Sequence, residues 1–166
     1  MANIFEPYFD PADDSDQPGF VNRRARVGRQ SGSTGIGASV YELPAGQALC
    51  PYHWQAGNAE MVIVLSGKPS IRTPEGWREL EPGEVVPFPR GPEGAHQVAN
   101  RSDDDVRVLM LSELNGPEVV VYPDSDKAAM LSRPPGATPE EGEVDAVFKL
   151  GDDVDYWLDE QAPGDE

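Results

Sequence analysis

The sequence predicts an all-β fold, an antiparallel barrel or jelly roll, from two observations. Gly and Pro contribute 17 residues each to a chain of 166, and they separate short runs rich in β-branched residues, as in strands joined by tight turns. Long amphipathic helices are hard to find. Short strands at regular spacing, with no helices between them, favour a barrel that buries its sheet edges and leaves an interior cavity.

Seven segments of the chain are predicted as strands. Ala38–Leu43 alternates apolar and polar residues, which indicates a half-buried strand, whereas Glu60–Gly67 is a compact apolar run. Turns rich in Pro and Gly, such as Pro74-Glu75-Gly76, separate the segments. The full set is 38–43, 60–67, 69–73, 77–80, 85–89, 96–100 and 106–113.

The pattern divides the chain into an N-terminal arm (1–37), a barrel core (38–115) and a C-terminal arm with an acidic tail (116–166). In the last part, Val119–Tyr122 has the composition of one more strand and residues 133–142 have that of an exposed linker. The final segment carries Tyr156 and Trp157. We expect these two aromatic side chains to pack the tail back on the barrel.

The chain is strongly acidic, with 30 Asp and Glu against 13 Lys and Arg and a formal net charge of −17. This charge repels nucleic acid and anionic membrane surfaces. The longest apolar stretch, Met61–Leu65, is too short to span a bilayer. A lone cysteine, Cys50, excludes an internal disulfide, and the first residues lack an export pattern. We therefore expect a cytoplasmic protein with neither a nucleic-acid nor a membrane partner.

Two stretches each combine a histidine with glycines at fixed spacings, and they contain both histidines of the chain. The first stretch carries Gly46, His53, Gln55, Glu60 and Gly67. The second stretch carries Gly83, Pro89, Gly91, His96 and Asn100. In this order the two stretches resemble the paired motifs of the cupin superfamily. Gln55 stands where the family has a second histidine, and the gap after Gly91 is longer than usual.

Short peptides such as Tyr52-His53-Trp54 and Asp155-Tyr156-Trp157 are also similar to those of uncharacterised bacterial single-domain cupins. The resemblance covers roughly Ala38–Leu158 and implies a cupin double-stranded β-helix, a jelly-roll barrel with N- and C-terminal arms. It also implies a homodimer, because cupins often associate through strands and terminal arms. Similar cupins include dioxygenases and sugar-phosphate isomerases or epimerases, and the resemblance does not choose among them.

The residues of the two motifs predict a metal site on independent grounds. Side chains alternate along a strand, so His53 and Gln55 point to the same face. Glu60 opens the next apolar strand and His96 comes from a separate strand, so these four donors can converge inside the barrel. Imidazole and carboxylate suit Fe, Mn, Zn or Ni as divalent ions. Gln55 would be a weak fourth ligand or a hydrogen-bond donor beside the ligands.

Three functions stay open on the sequence. The chain is a metal-dependent enzyme acting on a small polar metabolite, a binder of such a ligand with a weakened or lost metal, or an oligomer-forming unit. Because the amide of Gln55 is a poorer ligand than imidazole, enzyme and binder are evenly matched.

The arginines and the cysteine near the motifs are not assigned to the metal site. The cations nearest the motifs are Arg72, Arg90 and Arg101. Arg72 could hold a carboxylate or phosphate if it points inward, and otherwise forms a surface salt bridge. Cys50 is interpreted as a small buried side chain, because no histidine is placed beside it to act as a base.

Overall fold

The computed structural model describes residues 2–134, 144–151 and 153–161. Within these residues the protein is nearly all β, which confirms the predicted fold class. The strands are β1 (Arg23–Ala25), β2 (Ile36–Leu43), β3 (Trp54–Gln55), β4 (Glu60–Ser66), β5 (Ser70–Thr73), β6 (Gly76–Glu79), β7 (Val85–Phe88), β8 (Gln97–Ala99), β9 (Val106–Glu113), β10 (Glu118–Tyr122), β11 (Lys127–Leu131) and β12 (Asp145–Lys149). The helical elements are α1 (Val27–Gln30) and three 3-10 turns at Pro11–Asp13, Pro92–Gly94 and Pro123–Ser125. None of the described helices has the length and apolarity needed to cross a membrane.

The strands form antiparallel sheets around a common core. One sheet has the order β1-β2-β9-β4-β7, a second has the order β6-β5-β8, and a third has the order β12-β11-β10-β3. Ile71 and Val98 of the β6-β5-β8 sheet belong to the same buried cluster as Val62 and Val108 of the five-stranded sheet. These two sheets therefore face one another across the barrel interior.

Each face of the five-stranded sheet packs against a different apolar cluster. Leu43, Val64 and Met110 point into the barrel interior. Alternate residues such as Val40 and Leu109 point outward and lie in a second buried cluster, as the two-residue period of a strand requires. N-terminal side chains, among them Ile4 and Phe9, pack on this second cluster. The sheet is thus buried on both faces.

The N-terminal segment joins the sheet through β1 and α1. Strand β1 pairs with β2, so that Arg24 lies opposite Tyr41. Helix α1 packs closely on β2, since a Cβ atom added to Gly28 would lie 2.8 Å from the backbone nitrogen of Ala38. The sequence did not predict β1 or α1. The division of the chain at residues 37 and 115 stays a prediction.

The C-terminal segment extends the third sheet. Strand β10, predicted as one more strand, pairs with β3 and with β11, and β12 pairs with β11. The expectation that Tyr156 and Trp157 pack on the barrel is wrong, because these side chains are 81% and 72% exposed. Their rings instead contact each other edge to face, with centroids 4.7 Å apart. Most of the predicted 133–142 linker lies outside the described residues.

Candidate metal centre

His53, Glu60 and His96 converge on one point. The Oε2 atom of Glu60 lies 3.6 Å from Nε2 of His53 and 3.4 Å from Nε2 of His96. One ligand atom from each of the three residues lies within 4.8 Å of the others. Both histidines are buried and Glu60 is partly buried. The fold therefore brings together three of the four predicted ligands, with a spacing that one metal ion can bridge.

Backbone pairing places the two histidines side by side. His53 and His96 form an isolated antiparallel bridge, in which the His53 N–H donates to His96 O (3.1 Å) and the His96 N–H donates to His53 O (2.8 Å). Their ring centroids are 4.7 Å apart. Glu60 is the first residue of β4, next to the turn that follows β3. The site thus depends on pairing between residues far apart in the sequence.

The hydrogen bonds of the two rings orient them toward Glu60. The Nδ1 atom of His53 lies 3.0 Å from the carbonyl oxygen of Pro51, and Nδ1 of His96 lies 2.9 Å from that of Gly94. Because a carbonyl oxygen only accepts, each Nδ1 carries a hydrogen, and in the neutral ring each Nε2 has the lone pair. The two Nε2 atoms and a carboxylate oxygen therefore face one another. Backbone anchoring of this kind is common for histidines that bind metals.

Two of the predicted ligand residues carry a buried oxygen without a hydrogen-bond partner among the described residues. Within the described residues, neither Oε2 of Glu60 nor Oε1 of Gln55 has a hydrogen-bond partner. A buried polar atom without a partner is costly, and both of these atoms can serve as electron-pair donors to a cation. This donor set fits a divalent ion of the Fe, Mn, Zn or Ni type. The role of Gln55 as a fourth ligand stays a prediction.

The electrostatics of the cluster favour one positive charge. Burial lowers the pKa of His53, but the charge and hydrogen bonding of the neighbouring Cys50 sulfur and of the Glu60 carboxylate raise it more, to about 11. Burial and the charge of His53 lower the pKa of His96 to about 4. His53 is therefore protonated at neutral pH and its charge faces the Glu60 carboxylate, in the place that a divalent metal ion would take. Binding of a metal at this site would release that proton.

Aromatic side chains fix the histidine rings. Phe88 stacks on His96 with a centroid distance of 3.7 Å and an interplanar angle of 5°. Tyr122 lies 6.0 Å from the His53 ring centroid. Cys50 also contacts this ring, with Sγ 3.6 Å from Nδ1 of His53. The premise that no histidine lies beside Cys50 is therefore wrong, because the chain turns back between residues 50 and 53.

A cavity of about 430 Å³ adjoins the cluster. Glu60, Tyr41 and Met110 line it, together with Arg24 of β1 and residues around α1. Sequence reasoning missed these N-terminal residues because it assigned the whole 1–37 segment to an arm. Only the pairing of β1 with β2 brings Arg24 to the cavity, and a three-residue charged strand leaves little signal in a sequence.

The three arginines singled out from the sequence lie elsewhere. Arg72 forms a bidentate salt bridge with Asp124, with hydrogen bonds of 2.5 and 2.9 Å. Of the two roles considered for Arg72, this is the surface salt bridge. Arg90 pairs with the half-buried Glu113. The guanidinium carbon of Arg101 lies 4.9 Å from the centroid of an exposed tryptophan ring, that of Trp77.

Other motif residues support the barrel. Asn100 is buried, and its amide donates to the carbonyl oxygens of Leu43 (2.9 Å) and Asp104 (2.8 Å). Gly67 has φ +74°, and a Cβ atom there would lie 2.7 Å from a side-chain carbon of Val106. These two motif positions maintain strand ends and turns, whereas the two histidines and Glu60 form the site.

Fold and site together define a jelly-roll barrel with a histidine and carboxylate cluster beside an interior cavity. Residues 39–112 match the family model of the cupin domain. This part of the chain is therefore a cupin domain, and the fold is the predicted cupin β-barrel. No curated protein matched the sequence.

Solved structures support the same fold. A putative sugar phosphate isomerase from Acidithiobacillus ferrooxidans shares 24% identity over 82% of this chain and 81% of its own, with a TM-score of 0.71. A cupin-superfamily sugar phosphate isomerase from Silicibacter pomeroyi shares 22% identity over 82% of this chain and 99% of its own, with a TM-score of 0.66. A polyketide cyclase from Streptomyces resistomycificus shares 16% identity over 71% and 82% of the two chains, with a TM-score of 0.56. At these identities the likeness is one of fold.

Proposed function

We propose that this protein is a metal-dependent cupin that acts on a small polar metabolite bound in the cavity beside Glu60. The observation that carries the proposal is the convergence of two imidazole Nε2 atoms on a carboxylate oxygen without a hydrogen-bond partner in the described part of the chain, that of Glu60, which also lines the cavity. His53, Glu60 and His96 would hold the ion. Gln55 would serve as a weak fourth ligand or as a hydrogen-bond donor beside it.

The chemistry of the site divides between the ion and the chain. A bound divalent ion supplies Lewis acidity toward a carbonyl or hydroxyl oxygen of the ligand. Phe88 holds the His96 ring in one orientation by stacking. Burial raises the pKa of Tyr41, so the hydroxyl of this cavity residue stays protonated at neutral pH and donates a hydrogen bond to a bound ligand. Glu60 is assigned to the ion, so a proton transfer would fall to another cavity group.

The first reaction to assay is an isomerisation or epimerisation. Two structural neighbours bear the name sugar phosphate isomerase, and this supports the choice. A dioxygenase reaction is the second, because two histidines and one carboxylate are also the ligand composition of non-haem iron oxygenases. A ligand binder without turnover is favoured by one observation, the neutral Gln55 at the position of an imidazole. A homodimer and a cytoplasmic location stay predictions.

Metal analysis of protein purified without chelators tests the proposal. We expect about one first-row divalent ion per chain in the wild type, as a single mononuclear site requires. His53→Ala, Glu60→Gln and His96→Ala should each lose most of it, whereas Glu79→Gln, on exposed β6, should retain it. Wild-type protein without metal, or ligand variants as rich in metal as Glu79→Gln, would overturn the proposal.

Turnover separates the enzyme from the binder. Metal-loaded wild type should convert an aldose or ketose substrate and lose the activity after treatment with a chelator. Ligand binding without conversion by fully metal-loaded protein would favour the binding function.

A further inference from the structure

We propose that Arg24 forms a phosphate-binding subsite in the cavity beside the metal cluster, so that the ligand is a small phosphate monoester. This inference rests on the proposed function, because it assigns the group by which the substrate of that site is held. Arg26 and Arg29 line the same cavity.

Strand register places Arg24 on the face of the sheet that carries Glu60. Arg24 lies opposite Tyr41, Tyr41 lies opposite Val108, and Val108 lies opposite Val64 on β4. Val64 is four residues from Glu60, and an even separation along a strand keeps the same face. The side chains of Arg24 and Glu60 thus belong to the inner face, and both line the cavity.

The neighbouring Arg23 points away from the cavity. Its guanidinium pairs with Glu42 at 3.0 Å and lies over the Phe9 ring, 4.3 Å from the centroid. Arg23 therefore points to the outer face. Two successive arginines of one strand face opposite sides of the sheet, and only Arg24 reaches the cavity.

Arg24 has an unused donor. Within the described residues, its Nε atom is buried and has no hydrogen-bond partner, whereas Arg26 is paired with Asp13 at 2.6 Å. A buried guanidinium N–H without an acceptor is unfavourable, and the planar donor fork of arginine matches the oxygens of a phosphate. The free donor indicates that an anion completes the site.

The charged side chains that line the cavity favour a bound anion. The chain has a net charge of −17, yet among the described lining residues Glu60 is the one carboxylate beside Arg24, Arg26 and Arg29. Glu60 is assigned to the metal ion. Hydroxyl groups also line the cavity, from Ser33, Thr34, Ser39 and Ser112. The hydroxyls of Ser33 and Ser112 donate to backbone carbonyl oxygens. Those of Thr34 and Ser39, together with the donor fork of Arg24, suit the three terminal oxygens of a phosphate.

The dimensions fit a small metabolite. Strands β1 and β4 are separated by β2 and β9 in the sheet, so their axes lie about 14 Å apart at the usual strand spacing. The arginine side chain covers part of this distance. Tyr41 also lines the cavity and lies opposite Arg24, whose guanidinium carbon is 5.8 Å from the centroid of the Tyr41 ring. A ligand of a few carbons would span from Arg24 to the ion.

Calorimetric titration of inorganic phosphate tests the subsite, first with metal-free protein so that phosphate cannot coordinate the ion. Wild type should bind phosphate, and Arg24→Gln should weaken binding by about tenfold or more, as expected for a charge-assisted hydrogen bond. Arg23→Gln is the matched control and should leave the affinity unchanged. Equal affinities for Arg24→Gln and Arg23→Gln would overturn the inference, as would acetate binding as tightly as phosphate.

A second pair of variants tests the subsite if Arg24→Gln does not fold. Thr34 is an exposed residue of the cavity rim. Thr34→Glu should weaken phosphate binding by charge repulsion, whereas the neutral Thr34→Gln should not. Equal phosphate affinities in these two variants would overturn the inference.

Metal content separates this test from that of the proposed function. Arg24→Gln should keep the wild-type metal content. Wild type that binds metal but not phosphate would refute the subsite alone. Phosphate binding that depends on Arg24 in a protein unable to hold metal would refute the proposed function alone.

Discussion

Replacing Glu118 should destabilise the fold at the turn that leads into the metal centre. Glu118 is fully buried. Its Oε1 atom accepts hydrogen bonds from the backbone N–H groups of Ala56 (3.0 Å), Gly57 (2.8 Å) and Val119 (2.8 Å). The other oxygen accepts from the side-chain amide of Asn58. One carboxyl group thus organises the turn between Gln55 and Glu60.

The size of the effect follows from the donors that lose their acceptor. Glu118→Ala removes the acceptor of the Gly57 and Val119 N–H groups, and each buried donor left without an acceptor costs about 1–3 kcal/mol. The Ala56 N–H keeps the carbonyl oxygen of Val119 (2.9 Å) and the Asn58 amide keeps that of Asn115 (3.0 Å). Water entering the space offsets part of the loss, so we expect the free energy of unfolding to fall by about 2–4 kcal/mol. Glu118→Gln keeps an oxygen for the backbone donors but turns its amide toward that of Asn58. This variant should lose about 1–2 kcal/mol.

Urea denaturation followed by tryptophan fluorescence measures these losses, provided that the slope of the transition stays unchanged. Metal affinity should fall together with stability, because the turn carries Gln55 and Glu60 at its two ends. A loss below about 1 kcal/mol in Glu118→Ala would refute the reasoning, as would equal losses in the alanine and glutamine variants.

Two further predictions concern the turn before His96 and the outer face. Gly94→Ala should cost about 2–3 kcal/mol and weaken metal binding, because its Cβ atom would lie 1.7 Å from the Pro89 carbonyl oxygen; unfolding and metal titrations matching wild type would contradict this. Hydrogen bonding by Arg107, and then by Arg23, lowers the pKa of Glu42 below 4.5. The stability that Glu42 adds is therefore present above about pH 4.5 and disappears as the pH falls through the lowered pKa. Glu42→Gln should lose about 1 kcal/mol or less at pH 7 and nothing at pH 2, and a difference between the two proteins that grows in acid would oppose this.

The middle of the barrel was predictable because its strands carry strong local patterns. The alternation in Ala38–Leu43 and the apolar run of Val106–Glu113 correspond to β2 and β9. Strand β9 is buried on both faces and therefore reads as a continuous apolar run, whereas the partly buried β2 keeps a period of two. The convergence of His53, Glu60 and His96 needed the pairing of separate strands, which the motif resemblance supplied.

The strands near the two ends of the chain were harder to predict, because they form through pairing with a neighbouring strand and their composition does not favour a strand. Strand β1 has the sequence Arg-Arg-Ala, and β11 has two alanines, a poor strand former. Both exist because a neighbouring strand offers unpaired backbone groups, β2 for the first and β10 for the second. The sequence alone therefore did not predict that Arg24 lines the cavity, because β1 was not predicted. Register decides which of two adjacent arginines enters the cavity.

X-ray absorption spectroscopy at the edge of the bound metal tests the central claim most directly, because it identifies the atoms in contact with the ion. The account predicts two imidazole nitrogens from His53 and His96 at about 2.0–2.2 Å, with the remaining ligands being oxygen. Glu60→Gln should weaken metal binding without removing the imidazole signal from the protein that stays loaded. A spectrum without imidazole scattering, or with a sulfur ligand from Cys50, would contradict the proposed centre.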